Sequence, residues 1–215
     1  MHHGEPIMPG TSWLRRFGAS TAMPWPALAF RLVTGVAGIV ATALVALRLT
    51  VEPPINLLIL LLLMVAAELL LSIRLTQQRV LSLGATISFI TFLKFGAAAV
   101  VVVQVAALLL SELIRWLLPQ TRAHSWIFVL FNVGQLALCG LLGGLTVQFV
   151  LGTSLWAAPD ERLAALLHYS IAYLVSNIFF TSVATWLRFG WNEVREQLWP
   201  NVSLVYLTKP SDCPP

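Results

Sequence analysis

Charge is what this sequence has least of. Lys, Arg, Asp and Glu together make up 10% of its 215 residues, against about 25% in an ordinary soluble domain. A chain so poor in charge cannot meet water over most of its surface. Cysteine is scarce too: Cys139 lies inside an apolar run and Cys213 in a Pro-rich tail. With no CxxC and no Cys/His spacing, a disulfide framework, a zinc site and a redox motif are all unsupported. Catalytic signatures are also absent, since the chain contains no HExxH, no GxSxG and no P-loop. His124 and His168 fall near opposite ends of their apolar runs and make poor partners. We therefore expect no enzyme, no catalytic residues, no metal and no cofactor. The net charge of +4 and pI near 9.6 would suit nucleic acid. The bases, however, stand singly between apolar runs rather than in a stripe, which fits cationic loops on the cytoplasmic side of a membrane better.

What the chain does have is hydrophobic length, with 58% of its residues apolar. The useful unit is then the span of about 20 residues. Helix 1 is predicted over about Ala27–Leu49. It exceeds the 7–15 residues of a signal-peptide core, so it reads as an uncleaved first span. Pro53-Pro54 ends it, and helix 2 covers about Ile55–Ser72 before a polar link through Arg74, Gln77, Gln78 and Arg79. Residues 80–118 would make one helix about 58 Å long against a ~30 Å hydrocarbon core. They must therefore fold back, with the hinge at Lys94-Phe95-Gly96, the one place with a charge and a glycine. That gives a short helix 3, about 80–93, and helix 4, about Gly96–Leu118, which Pro119 closes. Helix 5 spans about Ser125–Leu151 and helix 6 about Leu163–Phe189. The expected fold is an all-α integral membrane bundle of six transmembrane helices over 27–189. A flexible cytoplasmic segment precedes it (1–26), and an interfacial cytoplasmic tail follows (190–215).

Orientation follows from charge. With six spans and both ends inside, the inner side collects Arg15, Arg16, Arg31, Arg74, Arg79, Arg115, Arg122, Arg188, Arg195 and Lys209, and the outer side keeps Arg48, Lys94 and Arg162. That is 10 against 3. If helix 3 were a re-entrant loop, the split would be 7 against 6, so the positive-inside rule selects six spans. The expected location is the cell (cytoplasmic) membrane, with the lipid bilayer as the first partner.

Ionisable groups in a span cost about 2.5–3.5 kcal/mol at mid-helix, so each needs a reason. Arg31, Glu68, Glu112 and Arg115 all fall in the cytoplasmic third. They read either as snorkelling ion pairs or as a coupling cluster. Deeper in the bundle, Asn132, Gln135, Cys139 and Gly143 share one face of helix 5, and Ser170, Tyr173, Asn177 and Thr181 share one face of helix 6. Helix 4 adds Gln104 and Ser111. These stripes are either interhelical glue, which the Gly140-xxx-Gly144 spacing also suits, or the lining of a small pocket. The candidate pocket residues are Gln104, Asn132, Gln135, Tyr173 and Asn177, with Asn132 and Asn177 expected to approach each other.

Residues 80–189 carry a resemblance. Ser82-Leu83 opening a short helix, Gly96-Ala97-Ala98-Ala99 opening the next, Phe131-Asn132-x-x-Gln135 and Asn177 are similar to the membrane-embedded N-terminal region that precedes HD-GYP phosphodiesterase or GGDEF cyclase domains in bacterial signalling proteins. That resemblance implies a sensory bundle with a cytoplasmic exit. No HD, GYP or GGDEF motif follows, so the expected output is a separate cytoplasmic signalling protein or a lost domain. Six helices with one short span also resemble the substrate-binding subunits of energy-coupling-factor vitamin transporters, which implies a transporter partner and an outward-facing pocket. A small structural membrane protein is the third reading.

In cysteine-accessibility labelling, positions near Lys94 and Asp160 are expected to react from outside, and positions near Gln78 and Arg122 from the cytoplasm only. Labelling of position 78 from outside would overturn the six-span orientation.

Overall fold

The structure is a computed structural model that describes residues 23–49, 54–70, 73–76, 79–81, 84–118, 125–152, 154, 155, 158, 161–191 and 194. Several expectations fall outside the described residues: most of segments 1–26 and 190–215, the polar Gln77-Gln78 pair, Pro119, Arg122, Asp160 and Cys213. So do the side chains of Arg74 and Arg79.

Among the described residues there are six helices: α1 (Trp25–Ala46), α2 (Pro54–Leu70), α3 (Gly84–Phe95), α4 (Ala97–Leu117), α5 (Trp126–Leu151) and α6 (Arg162–Phe189). Prolines sit at the starts of α1 and α2, where a missing N–H is no loss. Four helices, α1, α4, α5 and α6, are long and apolar enough to cross a membrane. With 17 residues, α2 is about 25 Å long, at the lower limit for a span. With 12 residues, α3 is about 18 Å long and too short to cross a ~30 Å core alone.

The short helix was expected over about 80–93 and instead runs Gly84–Phe95. The residues before it take another form. Ile73–Thr76 (β1) and Arg79–Leu81 (β2) pair antiparallel, Ile73 opposite Leu81 and Arg74 opposite Val80. The run Ile73-Arg74-Leu75-Thr76 alternates apolar and polar residues, which is the two-residue period of a strand rather than the 3.6 of a helix. What reads as a bare polar link is thus a small hairpin.

The hinge lies where the charge and the glycine place it. Gly96, between α3 and α4, has φ 83° and ψ 177°, a region of backbone space that is nearly glycine's alone. Its N–H closes α3 on the Phe92 carbonyl at 2.8 Å, and the Ala98 N–H reaches the Leu155 carbonyl at 3.0 Å. The two helices double back, with Ser88 against Gln104 and Gly84 level with Leu108.

The packing centres on α5, whose glycines open a face toward each of three neighbours. A Cβ on Gly38 of α1 would run into the backbone of Gly134, and one on Gly134 would run into Thr34 and Gly35. The α1 and α5 backbones therefore touch. A Cβ on Gly140 would come within 2.9 Å of Val101 on α4, and one on Gly144 would meet Ala97. A Cβ on Gly143 would press into the Tyr169 ring of α6 at 2.9 Å. Small residues permit such approach, and dispersion across it is what holds helices together where neighbouring solvent is as apolar as they are. α4 lies deepest, buried from Ala97 through Val101 and again at Val103, Gln104, Val105, Ala107, Ser111 and Glu112. The outer faces are apolar: Leu163, Leu167, Ile171, Leu174 and Ile178 make an exposed stripe along α6.

Replacing Gly134 by Leu is expected to cost about 3 kcal/mol or more, because overpacking here meets backbone rather than a yielding side chain. Val36→Leu, on the exposed face of α1, should stay within about 0.5 kcal/mol. Reversible unfolding in mixed micelles measures both, and equal effects would refute the α1–α5 contact.

Candidate functional site

The polar stripes meet in a cavity of ≈ 230 Å³ enclosed by α2 to α6. Its polar lining is Glu68, Ser88, Gln104, Tyr173 and Asn177, set among Met64, Leu108 and Leu136. At the centre Gln104 donates from Nε2 to Ser88 Oγ at 2.7 Å and to the Tyr173 hydroxyl at 3.1 Å. Ser88 in turn donates back to the Gly84 carbonyl at 2.8 Å. One amide therefore ties α3, α4 and α6 together.

A second pair lies beside it. Gln135, 4% exposed, donates from Nε2 to Asn177 Oδ1 at 2.5 Å, joining α5 to α6. The expected approach of Asn132 to Asn177 is replaced by this contact. The reason is register: with Gly143 against Tyr169 and Gln135 against Asn177, the antiparallel offset sets Asn132 level with Phe180. Asn132 is half-buried and does not line the cavity. The α6 stripe also needs adjustment. Thr181 is exposed and returns its hydroxyl to the Asn177 carbonyl at 2.7 Å.

The residue that the stripes missed is Tyr169, fully buried one helical turn before Tyr173. Its ring stacks on Phe92 at 4.1 Å between centroids and meets Phe89 edge-on at 6.3 Å. The sequence does hold a signal for it, since Tyr169, Tyr173 and Asn177 recur every four residues on one helix face. The Tyr169 hydroxyl and Gln104 Oε1 are buried polar atoms with no hydrogen-bond partner, and both border the notch that Gly140 leaves, 3.6 and 3.7 Å from where a Cβ would sit. Gln104 thus presents a paired amine edge to the cavity and an unpaired carbonyl toward α5.

Of the candidate coupling cluster, three members come together and one does not. Arg115 is ion-paired with Glu112 one turn away, and its other nitrogen donates to the Glu68 backbone carbonyl at 2.8 Å. Arg31 stands apart on α1, with its guanidinium over the Phe131 ring at 5.6 Å. The separation follows from the fold: α1 packs on α5, while the cluster lies where α2 meets α4. Among the described residues no three His, Cys, Asp or Glu side chains gather as a metal site would require.

No family model, curated protein or solved structure matches the chain.

A double-mutant cycle with Gln135→Leu and Asn177→Leu is expected to show a coupling of about 0.6 kcal/mol, the usual worth of an interhelical hydrogen bond. The same cycle with Asn132→Leu in place of Gln135→Leu should give none. Unfolding in mixed micelles reads both, and the reverse order would contradict the register.

Proposed function

We propose that this chain is a multi-pass membrane protein whose bundle senses a small polar molecule and passes its bound state to a cytoplasmic partner. The membrane part of the reading rests on four span-length helices and on outer faces of Leu, Ile, Val and Phe, a contiguous apolar surface far larger than soluble monomers expose. For orientation, the charge count favours both termini in the cytoplasm. In that arrangement α3 crosses part of the bilayer, and the hairpin before it lies toward the inner side.

The observation that carries the sensory reading is the double role of Glu68. It lines the cavity, and its carbonyl holds Arg115 of the Glu112–Arg115 pair. A molecule that displaces this residue shifts the pair's anchor at the inner end of α4, so occupancy and the inner face are mechanically joined. Cavities for drug-sized ligands are about 300–1,000 Å³, so one of ≈ 230 Å³ suits a smaller molecule held by a few hydrogen bonds. The Glu68–Gly84 end of the cavity lies on the side that the charge count puts inside. A vitamin-transporter subunit would require an outward-facing pocket, and this favours the sensory reading.

Native mass spectrometry of the gently extracted protein tests it. A small-mass adduct is expected on the wild type and should be lost in Gln104→Leu, which removes the central amide. A wild type free of any adduct, with no protein crosslink from positions 79 or 195 in whole membranes, would leave a self-contained bundle and refute the proposal.

A further inference from the structure

Arg31 and Arg188 belong to neither the cavity nor the Glu112–Arg115 cluster. Arg31 lies in the second turn of α1, among Phe30, Phe131 and Phe180, whose rings are 6.1–6.4 Å apart. Its Nε is buried and has no hydrogen-bond partner. Arg188, in the last turn of α6, lies over its neighbour Phe189 at 4.7 Å. Since α1 and α6 are antiparallel and in contact, both arginines come to the same end of the bundle, close enough for their charges to repel.

Two like charges at an apolar end call for a counter-charge. The described carboxylates do not supply it: Glu68 and Glu112 are gathered around Arg115, and Glu161 caps the opposite end of α6. Cation–π contacts with Phe131 and Phe189 offset only part of the cost of holding guanidinium groups there. A tetrahedral oxyanion supplies what remains, because it carries the opposite charge and accepts several N–H bonds from two guanidinium forks at once. We propose that Arg31 and Arg188 together hold a phosphate group between α1 and α6. It is carried either by the headgroup of an anionic lipid or by a soluble phosphate ester. At the inner leaflet, where the charge count places this end, a bound headgroup would staple the first helix to the last.

The full chain, in nanodiscs of phosphatidylcholine with phosphatidylglycerol, is released into native mass spectrometry while collision energy strips its lipids. One phosphatidylglycerol should survive on the wild type after the others leave. Its retained fraction should fall several-fold in Arg31→Gln and in Arg188→Gln, and less in Arg31→Lys. Arg162→Gln, which removes an exposed charge from the far end of α6, should leave it unchanged. In a second arm, inorganic phosphate is added to delipidated protein. A rise in Tm for the wild type that Arg31→Gln abolishes would assign the site to a soluble phosphate instead. Two results overturn the proposal: a lipid retained equally by the Arg31→Gln/Arg188→Gln double variant with unchanged circular dichroism, or no lipid retention and no Tm rise in the wild type.

Discussion

Everything in this bundle depends on how closely α5 can approach its neighbours. Gly134 lets the α1 backbone touch it, Gly140 and Gly144 admit Val101 and Ala97 of α4, and Gly143 receives the Tyr169 ring of α6. In water, burying large side chains would drive such an assembly. Among lipid tails that drive is gone, and what remains is dispersion between surfaces that fit, together with hydrogen bonds that lipid cannot offer. Glycines at four positions within eleven residues put three helices at contact distance around one. They also set the antiparallel offset of α5 and α6, and that offset decides which polar side chains meet.

The polar residues are the second constraint, and they depend on the first. Gln104, Gln135 and Asn177 would each be costly facing lipid. Each finds a partner only because α3, α4, α5 and α6 are already close. The result is more than glue, since the same side chains line a cavity of ≈ 230 Å³. Glu68 links that cavity to the ion pair on α4. A bond network built only for stability would have little reason to leave space within it or to bring a carboxylate to its edge.

Helix number and the hinge were legible from the chain because each has a local cause. Apolar runs end at prolines, and residues 80–118 are too long for one span. Gly96 is the one position that supplies both a break in hydrophobicity and freedom of φ. The hairpin at Ile73–Leu81 was legible in principle, because Ile73-Arg74-Leu75-Thr76 alternates with a period of two. A four-residue alternation beside long helical runs is a faint signal, however. Within the site, Gln104, Gln135, Tyr173 and Asn177 could be picked out as polar residues on helix faces. Tyr169 could not be separated from an ordinary interfacial or core tyrosine, because its burial depends on Phe92 coming back across the hinge.

What the sequence determined by itself is therefore everything that follows from one helix at a time: which segments are apolar enough to be helical, where they must break, and which faces carry polar groups. What only the tertiary structure decided is which of those faces meet. Asn132 and Gln135 share one side of α5 and are indistinguishable by spacing, yet only Gln135 reaches Asn177. Arg31 and Arg115 share a depth but stand on helices that pack against different neighbours. Periodicity fixes rotation about a helix axis and carries no information about axial offset between helices. That offset is set by the close contacts of Gly134, Gly140, Gly143 and Gly144.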